Sequence, residues 1–187
     1  KPASADDEGF KRELVLLIPH LRAFARTLTG DATAADDLAQ DAMMKAWDAR
    51  ASYQMGTNMK AWTFMILRNQ FYSEKRRSWR QSQLDQEAAE RTLVAVDDPE
   101  APVALDELRQ ALKTLPEEQR EALILVGAGG FAYEEAAEIC GCAVGTVKSR
   151  VSRARRALLT TLEKGGYSRD GKAAGDAMRT ILGEADR

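Results

Sequence analysis

Phe131-Ala-Tyr-Glu-Glu-Ala-Ala-Glu-Ile-Cys-Gly-Cys-Ala-Val-Gly-Thr-Val-Lys-Ser-Arg-Val-Ser-Arg-Ala-Arg-Arg-Ala-Leu158 reads as a short helix, a glycine turn and a second helix with five positive charges and no negative one. Ala137 is small where the two helices would cross, and Gly141 is placed to take the positive φ of the turn. The pattern is a helix-turn-helix, whose second helix enters the major groove of DNA. Projected at about 100° per residue, Val144, Val147, Val151, Ala154 and Leu158 form an inward stripe. Thr146, Ser149, Arg153 and Arg156 point the opposite way, toward a groove, while Lys148, Arg150 and Arg155 lie on the flanks where phosphates would run. Base-reading types at the centre and cations at the edges suit direct readout with phosphate positioning.

Outward from this stretch, charge is segregated. The 187-residue chain has a net charge of only −2, yet residues 68–80 carry +4, residues 143–158 carry +5 and residues 81–110 carry −6. Two basic patches separated by an acidic spacer imply two DNA contacts rather than a uniformly basic coat. Charged residues make up 30 % and aromatics 6 %, the balance of a helix-rich protein. Cys140 and Cys142 flank the turn glycine, and with His20 as the one histidine they cannot complete a tetrahedral zinc site. They read as small apolar residues packed around the turn. No metal or other cofactor is expected. The sequence holds no secretory signal and no membrane-length apolar run, so a cytoplasmic protein without membrane contact is expected. Residue 1 is lysine, so the native start is expected upstream or among residues removed.

Helical periodicity covers most of the chain, and the expected class is all-α with two small domains. Leu14, Leu17, Leu21, Phe24 and Leu28 repeat along 10–28, interrupted only by Pro19. Asp31 or Thr33 can cap a second helix over about 34–49, with Leu38, Ala42 and Lys45's stem or Ala46 inward and Asp36, Asp37, Gln40 and Asp41 outward. A polar loop, 51–58, precedes a third helix over about 59–80 that begins apolar and ends basic. Asp97-Asp-Pro-Glu-Ala-Pro102 marks a flexible acidic linker over 81–103. Periodicity returns with Leu105, Leu108, Leu112 and Leu115, and Pro116 suits the first turn of the next helix, which runs to the Gly127–Gly130 break. The domains are therefore expected at 10–80 and 104–163, with a tail at 164–187 forming at most a short helix around Ala173–Leu182.

Two helical domains, each with a basic helix, resemble a small bacterial sigma factor of the extracytoplasmic-function group, over about residues 10–163. Three motifs carry the resemblance: Asp36-Asp-Leu-Ala-Gln-Asp-Ala-Met-Met-Lys-Ala-Trp47, Asn58-Met-Lys-Ala-Trp-Thr-Phe-Met-Ile-Leu-Arg-Asn69 with the basic run to Arg80, and Tyr133 through Arg150. The resemblance implies sigma region 2 over 10–80 and sigma region 4 over 104–163. The first motif then binds core RNA polymerase through Asp36, Asp37, Gln40, Asp41 and Trp47, acids suited to a basic partner surface with Trp47 anchoring its edge. The second reads and melts the −10 element of promoter DNA through Asn58, Asn69, Tyr72, Arg76, Arg77 and Arg80. The third reads the −35 element through Thr146, Lys148, Ser149, Arg150, Arg153 and Arg156. The phrases Gly56-Thr-Asn-Met-Lys-Ala-Trp62 and Glu134 through Gly145 are similar to the general-stress branch of alphaproteobacteria, the EcfG type. That likeness implies stress-response transcription, a small NepR-type anti-sigma factor and, upstream, a PhyR-type response regulator. Ala132 and Ala143 depart from it where serine or proline often starts a helix, a loss of order 1 kcal/mol for a serine cap.

Melting needs groups that hold unpaired bases, because each extruded base costs a few kcal/mol of stacking and pairing. Phe71, Tyr72 and Trp79 lie among cations, the combination used for single strands. Asn69 shares a side with Trp62, Met65 and Ile66, where either an extruded base or a backbone cap would satisfy it. Trp62 itself reads as core, and the 51–58 loop, as the family implies, receives the base. The chain shows no catalytic triad or metal cluster, which points away from an enzyme. A one-component regulator would leave 31–80 without a purpose, and a sigma mimic that binds only an anti-sigma factor has no use for two basic faces.

Overall fold

The computed structural model describes residues 5–54, 56–84 and 103–164. The chain divides into two units, Lys1–Val96 and Asp97–Arg187. Every regular element among the described residues is helical, and none of these helices is long and apolar enough to cross a membrane.

The first unit holds α1 (Ala5–Leu16), α2 (Ile18–Thr29), α3 (Ala32–Asp48), a 3-10 turn at Arg50–Ser52 and α4 (Met59–Leu84). The periodic stretch 10–28 is two helices rather than one. The break falls at Leu17, and Pro19 sits in the first turn of α2, where its missing N–H leaves no helical bond unmade. Gly30 ends α2 with φ +74°, and its N–H donates to the Arg26 carbonyl at 3.0 Å. Asp31, of the two candidate caps, starts α3: its Oδ1 accepts from the Ala34 N–H at 2.8 Å.

Three helices make the core. Leu21, Phe24, Ala25 and Leu28 from α2 meet Ala35, Leu38, Ala39, Ala42 and Ala46 from α3, and Phe64 and Leu67 from α4. The run of alanines brings α3 close to its neighbours, and Phe24 stacks on Phe64 with centroids 4.7 Å apart. Buried Thr63 donates its hydroxyl back to the Met59 carbonyl at 2.9 Å, so its polar group is satisfied within α4. Lys45 is exposed, leaving Ala46 as the inward residue of that turn.

A second cluster closes the end of this unit. Phe10 lies 6.2 Å from Trp47, 5.6 Å from Tyr53 and 6.1 Å from Trp62, centroid to centroid. Tyr53 is buried within the stretch read as a polar loop, and its hydroxyl donates to the Thr57 carbonyl at 2.7 Å. Arg50 fastens the same corner: its guanidinium covers the Trp47 ring at 4.5 Å and pairs with Asp7 of α1 at 3.0 Å.

The second unit holds α5 (Val103–Lys113), α6 (Glu117–Gly127), α7 (Tyr133–Cys140) and α8 (Val144–Lys164). Pro116 stands just before α6 rather than in its first turn, and its carbonyl accepts the first bond of the helix from the Arg120 N–H at 2.9 Å. The core forms where α6 and α7 press Leu123, Leu125, Val126, Ala136 and Ile139 against Val147, Val151, Ala154 and Leu158 of α8.

The expected 81–103 linker is shorter at both ends, because α4 continues through Leu84 and α5 begins at Val103. Gln81 and Leu84 are good helix formers, and nothing in 81–84 stops the helix. The rest of that segment and the tail helix expected around Ala173–Leu182 lie outside the described residues.

Candidate nucleic-acid interface

The α7–α8 turn is closed by backbone hydrogen bonds. Gly141 adopts φ +63°, the Cys142 N–H donates to the Ala137 carbonyl at 3.1 Å and the Gly141 N–H donates to that of Glu138 at 3.2 Å. A side chain at Gly141 would meet nothing within 4 Å, so its left-handed φ, not crowding, makes glycine fit. At the start of α7, Ala132 offers no side-chain cap. Glu135 supplies the reciprocal half, accepting from the Ala132 N–H at 2.9 Å. Cys140 is buried and Cys142 half-buried, both as free thiols.

Packing fixes which face of α8 is outward. Val147, Val151, Ala154 and Leu158 are buried, while Lys148, Ser152, Arg153 and Arg156 are exposed. Ser149 is half-buried and donates to the Thr146 carbonyl at 2.9 Å. Thr146, also half-buried, stands at the edge of the outward face. Ser152, which the sequence reading left out, lies nearer the centre of that face. Lys148 reaches over the Tyr133 ring at the start of α7, at 5.6 Å.

Arg150 differs from its neighbours. Its side chain, 17 % exposed, donates through Nη2 to Glu118 of α6, and its Nη1 lies 3.6 Å from the Cys142 sulfur. It joins the first turn of α6 to α8. Arg155, on the opposite flank, is half-buried.

The first unit presents two further surfaces. Along α4 the N-terminal half is packed, whereas every side chain from Glu74 to Gln81 is exposed. Asn58 caps this helix, with Oδ1 accepting from the Ala61 N–H at 3.1 Å. Asn69 is exposed rather than held against the core. Half-buried Tyr72 lies under the Arg68 guanidinium at 4.5 Å and packs edge-on against Phe71 at 5.2 Å. Arg76, Arg77 and Arg80 are exposed, and Arg80 Nε donates to the Arg76 carbonyl at 3.3 Å. Gln70 links α4 to α3, accepting from Lys45 and donating to Glu74.

On α3, Asp37, Gln40, Asp41 and Met44 are exposed. Asp36 is exposed too but engaged: Arg22 of α2 donates to both of its oxygens, at 2.7 and 2.6 Å. Those hydrogen bonds hold the Asp36 carboxyl below the usual carboxylate range and raise the Arg22 guanidinium above its own. Trp47 is half-buried in the aromatic cluster under Arg50.

The sequence separates into the same two parts when compared with known proteins. Residues 16–81 match the family described as sigma-70 region 2, and residues 105–158 match sigma-70 region 4. Over 176 residues the chain is 44 % identical to the ECF RNA polymerase sigma factor EcfG of Rhodopseudomonas palustris, spanning 94 % of this chain and 96 % of that protein. It is 34 % identical over 135 residues to the ECF RNA polymerase sigma-E factor of Escherichia coli, covering 65 % of this chain and 70 % of the relative. Among solved structures, the sigma factor RpoE in complex with the anti-sigma factor NepR from Bartonella quintana superposes with a TM-score of 0.75 at 47 % identity, over 84 % of this chain and 98 % of that one. Helix order, the helix-turn-helix and these matches agree: the chain belongs to the extracytoplasmic-function group of sigma-70 RNA polymerase sigma factors.

Proposed function

We propose that this sigma factor directs core RNA polymerase to promoters of general stress genes and is held inactive by a small anti-sigma factor of the NepR type. The observation that carries the promoter half is the placement of exposed cations on one helix of each unit. Lys148, Arg153 and Arg156 line the outward face of α8, and Arg76, Arg77 and Arg80 line the exposed half of α4. In this reading α8 takes the −35 element, with Thr146 and Ser149 at its edge, and Asn58, Asn69 and Tyr72 serve the −10 element beside the α4 arginines. Arg150 acts by setting the angle of α8. Asp37, Gln40 and Asp41 dock on core polymerase, with Asp36 and Trp47 as braced neighbours. The anti-sigma half rests on the likeness to the sigma factor solved with NepR and on the two-unit build, which offers a partner two contacts. Such a protein works in the cytoplasm as an initiation factor, with no catalytic chemistry or cofactor of its own.

Run-off transcription with purified core polymerase tests the proposal. Mapped start sites at stress promoters, abolished by stoichiometric NepR-type protein, are expected. Failure to direct initiation from any promoter would remove the sigma reading, and NepR-insensitive transcription would remove the regulatory half.

A further inference from the structure

Promoter contact leaves Cys140-Gly-Cys142, at the bend of the helix-turn-helix, without a purpose. Its two thiols stand in different surroundings. Cys140 closes α7 and is buried, 6 % exposed. Cys142 is half-buried, and its sulfur accepts from Arg150 Nη1 at 3.6 Å, the same guanidinium whose Nη2 holds Glu118 of α6. Partial exposure beside a fixed cation is the setting of a reactive thiol, and burial is that of an inert one. Between them Gly141 turns the chain with φ +63° and ψ +40°. So tight a bend leaves the two Cα atoms about 5.5 Å apart, within the span of a disulfide.

We propose that Cys142 is an oxidation site for hydrogen peroxide, that Cys140 is its resolving thiol, and that the bridge between them switches off −35 reading by α8. The Cys142 thiolate attacks one peroxide oxygen. The O–O bond breaks, the sulfur becomes a sulfenic acid, and the other oxygen leaves as water with the thiol's proton. The Cys140 sulfur then displaces that hydroxyl: an S–S bond forms, the S–O bond breaks and a second water leaves. Two thiols are oxidised and one peroxide is reduced. Arg150 favours this chemistry over metal capture, because a guanidinium repels a cation and donates to a sulfenate oxygen. To close the bridge, Cys140 must leave the core or Cys142 must leave Arg150. Either movement disturbs the turn that seats α8, where the Cys142 N–H donates to the Ala137 carbonyl at 3.1 Å. A bridge across one residue closes a small, strained ring, and strained disulfides are readily reduced, which makes the mark reversible. The switching half rests on the −35 reading; the oxidation does not.

The full chain, which has no other cysteine, is treated with hydrogen peroxide and then with dithiothreitol. Intact mass, peptide mapping and fluorescence anisotropy on a −35 duplex are read at each stage. The parent should lose two hydrogens, show a 140–142 bridge and bind the duplex about 10-fold more weakly, the size of one lost base contact. Dithiothreitol should reverse all three. C140S should stop at a sulfenic acid that dimedone traps on Cys142. C142S should form no bridge, resist dimedone and bind DNA equally before and after peroxide, which also controls for methionine oxidation. A parent that keeps both thiols while added glutathione is oxidised would overturn the proposal, as would dimedone labelling of Cys140 in C142S as fast as of Cys142 in C140S. A bridge formed without loss of binding would overturn the switch. A metal ion held stoichiometrically by the reduced pair would overturn the oxidation role. If the reduced parent binds no −35 duplex, the promoter reading fails, while the masses still decide the chemistry of the thiols.

Discussion

Replacing Arg150 with alanine separates two roles that look alike in the sequence. Arg150, Arg153 and Arg156 all lie on the basic helix α8, but the Arg150 side chain is 17 % exposed and reaches Glu118, itself 65 % exposed. The pair is wet at its acidic end, so its electrostatic share is discounted to about 0–1 kcal/mol. The buried stem adds roughly 1 kcal/mol of packing. A loss of about 1–2 kcal/mol in a unit of this size lowers its melting temperature by roughly 5–15 °C. E118A removes only the screened pair and should cost about 0.5 kcal/mol. R153A and R156A remove exposed side chains and should melt within about 0.5 kcal/mol of the parent, yet each should lose about 1–3 kcal/mol of discrimination at the −35 element. Circular dichroism of the intact chain follows the melting, and the relevant transition is the one that a −35 duplex raises. Fluorescence anisotropy across salt follows the binding. An R150A protein that melts like the parent but loses as much binding as R153A would show that Arg150 reads DNA and that its partner in α6 is incidental.

Reversing Asp37 and Asp41 to lysine should abolish association with core polymerase in a pull-down while leaving −35 binding intact, because both acids are exposed and remote in sequence from α8. Normal association would show that α3 is not the docking surface. Gly129→Ala should destabilise the second unit by about 1–3 kcal/mol, read by thermal melting: the added Cβ would stand 2.5 Å from the Leu125 carbonyl oxygen and 2.9 Å from the Phe131 ring. Calorimetry against a NepR-type anti-sigma factor should give far tighter binding for the intact chain than for residues 1–90 or 100–187, since two joined contacts gain effective concentration. Equal affinity for one fragment and the whole would rule out a two-unit grip.

What the sequence made legible is what local rules control. The inward stripe Val147, Val151, Ala154 and Leu158 follows from helical period alone, and Gly141 stands at a position whose φ is positive. What stayed hidden depends on partners far along the chain. Tyr53 sits in a polar stretch and is buried because Phe10 of α1, 43 residues earlier, and Trp62 of α4 arrive beside it, at 5.6 and 5.1 Å. Arg150 and Lys148 point to different sides of α8 by helical phase, but only the packing of α6 and α7 shows that one meets Glu118 and the other the Tyr133 ring. Asp36 and Asp37 are likewise indistinguishable as letters, yet α2 places Arg22 against the first. Side-chain direction on a helix surface is thus readable to within a flank, while its engagement waits on the packing of the next helix.

That distinction bears on how a chain with a net charge of −2 binds a polyanion at all. Affinity for DNA scales with the phosphates neutralised by cations that are free to reach them, not with the protein's total charge. Packing decides which cations those are. Arg22, Arg50 and Arg150 are held by Asp36, Asp7 and Glu118, whereas Arg76, Arg77, Arg153 and Arg156 stand exposed on the two helices assigned to promoter contact. The paired arginines orient those helices or brace their neighbours. A sum over sequence therefore overstates the charge available to DNA within 143–158, where Arg150 is paired, and understates it for the chain. Salt slopes measured for single arginine variants should sort the two sets: the exposed ones lower the slope by roughly one unit each, and the paired ones leave it unchanged while lowering stability.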